Sequence, residues 1–240
     1  MFKKVLVTFS VVLFCVSFIY AGMYVIETPT KNILNYGSYS INIMNTSYGI
    51  IISELNFGLF KILNMGASWE MDYIIGNETA KFGIPAPVIK ISIYEGNSNG
   101  FPGFALGYSF QGFIIDGYTD YNSIFMQPGR GLYLVFGSEI FVEGLLYNVG
   151  ANINNFGTCK VYPFLSLEKT IGKDERAVFK FEIDNIDTDS LSNSRINTGL
   201  GVFITDQVGV IFVVRDVCGK KDVGRIPNER RLQLGVTSKL

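Results

Sequence analysis

Hydrophobic and polar positions alternate with a period of two along most of this chain. The clearest run is Ser194 to Val217. Ile196, Thr198, Leu200, Val202 and Ile204 fall on one face, and Arg195, Asn197, Gly199 and Gly201 on the other. Thr205-Asp206-Gln207 reads as a turn, after which Val208, Val210, Phe212 and Val214 share a face. Successive strand side chains point to opposite sides, so this is a β-hairpin whose apolar face continues through its turn. In a soluble sandwich that face turns inward. In an outer-membrane barrel it turns outward to lipid and the polar face lines the lumen.

The same alternation predicts further strands. Tyr39, Ile41 and Ile43 form one apolar face, Leu55, Phe57 and Leu59 a second, and Met65, Ala67, Trp69 and Met71 a third. Ile89 to Ile93, Phe104 to Phe110, Leu132 to Phe136, Leu145 to Ile153, Val161 to Leu167, Ala177 to Ile183 and Leu232 to Leu240 continue the series. Leu132 to Phe136 is apolar on both faces, and Pro163 removes a donor from its strand. The total is about twelve strands, with no helical period beyond the leader. Alternate connections are short (Lys61 to Asn64, Glu95 to Phe101, Glu139 to Glu143, Lys169 to Glu175, Thr205 to Gln207), and most of the others are long. Outer-membrane barrels have this asymmetry, with short periplasmic turns and longer outer loops. The fold expected is therefore all-β: an antiparallel up-and-down transmembrane β-barrel of about twelve strands. Strands of about ten residues match a tilted crossing, and Tyr36, Tyr39, Tyr73, Phe101 and Phe156 at strand ends suit interface girdles. A secreted soluble barrel or sandwich is the alternative with the same alternation.

The chain opens MFKKVLVTFSVVLFCVSFIYAG. Lys3 and Lys4, the apolar stretch Val5 to Phe18 and the small pair Ala21-Gly22 make a signal peptide over residues 1–21. Residues 22–35 read as an extended lead-in and 36–240 as a single barrel domain. The expected location is the bacterial outer membrane, with a periplasmic or secreted protein as the alternative. The expected partners are the lipid bilayer and the outer-membrane insertion machinery.

Two passages resemble a known family. Pro102-Gly103-Phe104-Ala105-Leu106-Gly107-Tyr108, then Gln111-Gly112 and Gly131-Leu132-Tyr133-Leu134-Val135, resemble outer-membrane β-barrels associated with exopolysaccharide production and their uncharacterised relatives. Glu27-Thr28-Pro29-Thr30 and the stretch Phe57 to Trp69 are similar too. Phe136 and Gly137 stand where that motif closes on Ser. The resemblance implies an outer-membrane location and supplies no substrate and no catalytic residue.

Composition narrows the chemistry. Of 240 residues 48% are hydrophobic, the composition of a folded chain. Basic and acidic residues number 20 and 21, so no nucleic-acid footprint exists. The chain has no His, which removes the commonest general base and metal ligand and argues against an enzyme. No cofactor is called for. The acidic pairs Glu70/Asp72 and Asp184/Asp187 read as loop or lumen charge before they read as a cation site. Cys159 and Cys218 form no metal spacing and are expected as separate thiols. Phe60, Phe203, Ile211 and Val213 are expected to point inward and fill part of the lumen. The lumen-lining charges expected are Lys90, Lys180, Glu182, Arg195, Arg215 and Arg231. Their mainly basic character predicts a narrow, weakly anion-preferring, porin-like channel for small solutes; a component of polysaccharide export is the other form of this pore reading. The competing expectation is a structural or surface-display barrel with a filled lumen, its basic residues paired with Glu54, Glu70 and Asp72. The residues leave the oligomeric state open.

Overall fold

A computed structural model describes residues 23–46, 49–75, 77, 79–83, 85–96, 101–109, 131–139, 144–153, 159–172, 176–186, 194–219 and 227–239. The leader read at 1–21, Phe156, Asp187 and Leu240 lie outside them. The strands are β1 (Ser38–Asn45), β2 (Ile51–Phe60), β3 (Leu63–Asp72), β4 (Lys81–Phe82), β5 (Ala86–Tyr94), β6 (Gly103–Ser109) and β7 (Gly131–Glu139). Then follow β8 (Leu145–Ile153), β9 (Val161–Ile171), β10 (Ala177–Asp184), β11 (Arg195–Phe203), β12 (Val208–Arg215) and β13 (Glu229–Lys239). β4 is a two-residue appendage on β3, and β3 pairs directly with β5. All the others pair antiparallel with their chain neighbours, and β1 pairs with β13 from Ser38↔Lys239 to Asn45↔Leu232. Twelve strands thus close into an antiparallel ring. A closed ring pairs every strand on both sides, which lets a β-structure sit in hydrocarbon.

Burial along each strand is inverted relative to a soluble protein. Leu200 is 50% exposed, and Phe179 and Phe212, its ladder partners on either side, are 43% and 62% exposed. Lys90, Lys180 and Glu182, on the other face, are at most 1% exposed. Water would not leave this pattern stable; a bilayer outside and a polar filling inside do. Among the described residues no helix is long and apolar enough to cross a membrane, so the strands make the crossing. Most of the short connections gather at one end with the chain's entry into β1, and the longest ones at the other.

Local irregularities have local causes. Pro163 pairs with Ala151 of β8 and its carbonyl accepts from Ile186 N. Its missing N–H therefore points to the β10 side, where the ladder has already ended at Ile183↔Leu165. β7 is apolar on both faces because the lumen beside it is packed. Tyr133 and Val135 point inward onto Ala105 and Phe164, while Leu132 and Phe136 face out. Glycines make the space: a Cβ at Gly107 would lie 2.2 Å from the Tyr133 ring, and one at Gly150 2.3 Å from that of Phe164. Phe60 departs from the expectation that it points inward. A register shift between Gly58 and Phe60 ends the alternation, and Phe60 is 61% exposed.

Candidate functional site

The inner wall is occupied by the chain's own lead-in. Asn35 O accepts from Ser38 N, and Gly37 N donates to Gly58 O, so the segment enters at the short-turn end. Leu34 packs on Val88 and Met23. Lys31 is held at both ends, its N–H on Asn148 Oδ1 (3.0 Å) and its Nζ on Glu95 O (2.9 Å). Beyond it the chain reverses in a tight turn, with Val25 N donating to Thr28 O and Thr30 N to Met23 O. Val25 and Thr28 are fully buried. A segment expected to be merely extended is a turn seated inside the barrel.

Glu182 of β10 holds the tip of that turn. Its carboxylate accepts from the backbone N–H of Ile26 (3.3 Å), Glu27 (3.1 Å to each oxygen) and Thr28 (3.0 Å), and from the Thr28 hydroxyl (2.7 Å). Asn197 Nδ2 adds a further bond at 2.6 Å. Consecutive amides converging on one anion form a nest, the arrangement that turns use to grip negative charge. Gly199 lies on the wall beside it, where a Cβ would come into ordinary contact with Ile26 Cδ1 at 3.4 Å. Val25 and Ile26 pack there on Ile211 and Val213, so those two inward residues do fill the lumen. Phe203, at the end of β11, is half-buried.

The turn also delivers a charge. Glu27 Oε1 accepts a hydrogen bond from Arg231 Nη1 (2.5 Å) and lies in ion-pair contact with Arg215 Nε (2.8 Å). Glu229 Oε2 accepts from Arg215 Nη1 (3.2 Å) and Arg231 Nη2 (2.6 Å). The four side chains alternate in sign around a ring in which both arginines and Glu229 are buried. Two guanidiniums out of water call for carboxylates beside them; here Glu229 comes from a barrel strand and Glu27 from the turn. Removing one partner of such a buried set typically costs about 3–5 kcal/mol, because a charge is left uncompensated.

The six lumen residues named from the sequence fall as follows. Arg215 and Arg231 share the ring, Glu182 grips the turn, and Arg195, half-buried, is the ladder partner of Asp184. Lys180 pairs with Glu168 of β9 at 3.0 Å. Lys90 donates to Met23 O at 3.2 Å and is attracted by the Glu54 carboxylate. The basic residues of the last strands thus find their acids in Glu27, Glu229 and Glu168. Glu70 and Asp72 are buried on the β3 wall. Carboxylate oxygens of Glu27, Glu182 and Asp184 lie within 4.8 Å of one another, but Glu182 is committed to the donors just described. Cys159 and Cys218 are not joined in a disulfide, and both are exposed. Glu27 and Thr28 were not legible as site residues; the one signal was the surplus of lumen arginines, which demands an acid from elsewhere.

A closed ring of strands with lipid-facing apolar residues outside and charge inside is the architecture of outer-membrane-type transmembrane barrels, and this chain has it. Among solved structures it is similar to a porin, NanC (TM-score 0.41, 10% identity, covering 84% of this chain and 100% of that one). It is also similar to the N-terminal β-barrel domain of Pseudomonas aeruginosa OprF (0.24, 10%, 85% and 98%) and to Salmonella typhi OmpF in complex with daunomycin (0.30, 8%, 85% and 96%). No protein-family model and no curated protein matches the chain. Overlaps this low carry no function, which has to come from the chain's own residues.

Proposed function

We propose that this protein is an outer-membrane channel of the narrow, porin-like kind, closed in this state by its own N-terminal turn. The observation that carries the reading is the fit of turn to wall. Glu182 grips three consecutive amides, Val25 and Ile26 pack on Ile211 and Val213, and Glu27 completes the charge of Arg215 and Arg231. The leader and the lipid-facing belt support delivery through the outer-membrane insertion machinery. With the turn withdrawn, the lumen-facing arginines give the passage a weak anion preference. Small solutes are the cargo. Tyr133, Phe164, Ile211 and Val213 still project inward, and polysaccharide export needs a wider lumen.

The test is single-channel conductance in planar bilayers, with Ile26→Cys/Val213→Cys as a lock. Wild-type protein is expected to open rarely, Glu182→Ala to open often, and the oxidised double-cysteine protein to stay shut until reduced. The same inward side chains favour a second reading, a structural barrel with a filled lumen. Folded Glu182→Ala protein that never conducts would establish that reading and end the first.

A further inference from the structure

The Glu27 carboxylate occupies a seat that the barrel wall builds without it. Arg215 and Arg231 come from neighbouring strands β12 and β13, and both aim at one Glu27 oxygen. On their other side Glu229 fixes both guanidiniums, so their position does not depend on the turn. Paired guanidiniums on one oxygen are a recognition element for carboxylates. The seat is also buried, so it discriminates strongly between a carboxylate and an uncharged isostere.

We infer that the Arg215–Arg231 seat is a binding site for carboxylate-bearing solutes, with Glu27 acting as a tethered stand-in for the ligand. The inference rests on the reading that the turn can leave the lumen. When it leaves alone, it strips a buried guanidinium pair of one of its two carboxylates. When a soluble carboxylate takes its place, charge is exchanged for charge and hydrogen bond for hydrogen bond. Withdrawal is thereby coupled to the arrival of an anion of this class, which makes the seat a specificity element as well as a latch.

Propionate and propionamide reproduce the Glu27 side chain and its uncharged isostere. The binding experiment is isothermal titration of folded, heat-modifiable protein in detergent, and it needs no conductance. Glu27→Ala empties the seat and is expected to bind propionate at least tenfold more tightly than propionamide. The preference should vanish in Glu27→Ala/Arg231→Gln. In wild-type protein, propionate and not propionamide is expected to speed amide exchange across residues 23–30, a readout that does not depend on any variant folding. Equal binding of the two probes by Glu27→Ala, or wild-type exchange indifferent to propionate, overturns the site. Propionate binding by a barrel that never conducts keeps the site and removes the channel.

Discussion

Glu182→Ala tests the seating of the turn most directly. Glu182 accepts from the amides of Ile26, Glu27 and Thr28, and it also takes the Thr28 hydroxyl and the Asn197 amide. Hydrogen bonds to a charged group contribute about 1.5–3 kcal/mol each when considered singly. They are not additive here, since they share two oxygens, and the freed amides regain water once the turn leaves. Breaking a buried ionic arrangement from one side gives a better scale, about 3–5 kcal/mol. Relief of the crowding among the Glu27, Glu182 and Asp184 carboxylates, whose oxygens lie within 4.8 Å, pulls the net toward the lower end. About 3 kcal/mol corresponds to roughly a 150-fold shift from seated to released turn. Hydrogen exchange read by mass spectrometry over residues 23–30, on folded protein in micelles, should show protection falling by about two orders of magnitude. The β-ladders should keep theirs. Unchanged exchange in a folded Glu182→Ala barrel would refute the nest as the anchor.

Three further outcomes follow from the walls. Leu200→Arg, near mid-membrane, should cost about 2–4 kcal/mol, and Ile204→Arg, at the membrane edge, about 0–1, measured by reversible unfolding in vesicles; equal costs would mean the outer face is not lipid-facing. Gly107→Val should cost about 1–3 kcal/mol in the same assay, because its side chain has to displace the Tyr133 ring. Cys159 and Cys218 sit in connections at the long-loop end and are exposed, so an impermeant maleimide should label both on intact cells; labelling only after the outer envelope is opened would reverse the orientation.

The lumen face is less permissive than its polar sequence suggests. Asn197 reads as a tolerant lumen position, where an added Arg costs little. In the barrel it is fully buried, donates to Glu182 and accepts from Asp216 N at 2.9 Å, so Asn197→Arg is expected to be as damaging as a change on the lipid face. Polarity in a strand says which side a residue faces. Whether that side holds water or packed protein is a separate matter.

The sequence by itself determined the strands, their faces and the segregation of long loops from short turns. These are local properties: a period of two assigns Leu200 and Asn197 to opposite sides whatever lies beyond them. What fills the barrel was decided only by tertiary structure. Glu27 and Glu182 stand 155 positions apart, and no periodicity links a turn after a leader to the wall of β10. The inward packing of Tyr133 on Phe164 and the outward turn of Phe60 at its bulge belong to the same category. Each depends on which residues the closed ring brings to one height of one wall. The lumen arginines were visible as charges, but their neutralisation by an acid of the lead-in required the ring to close around it.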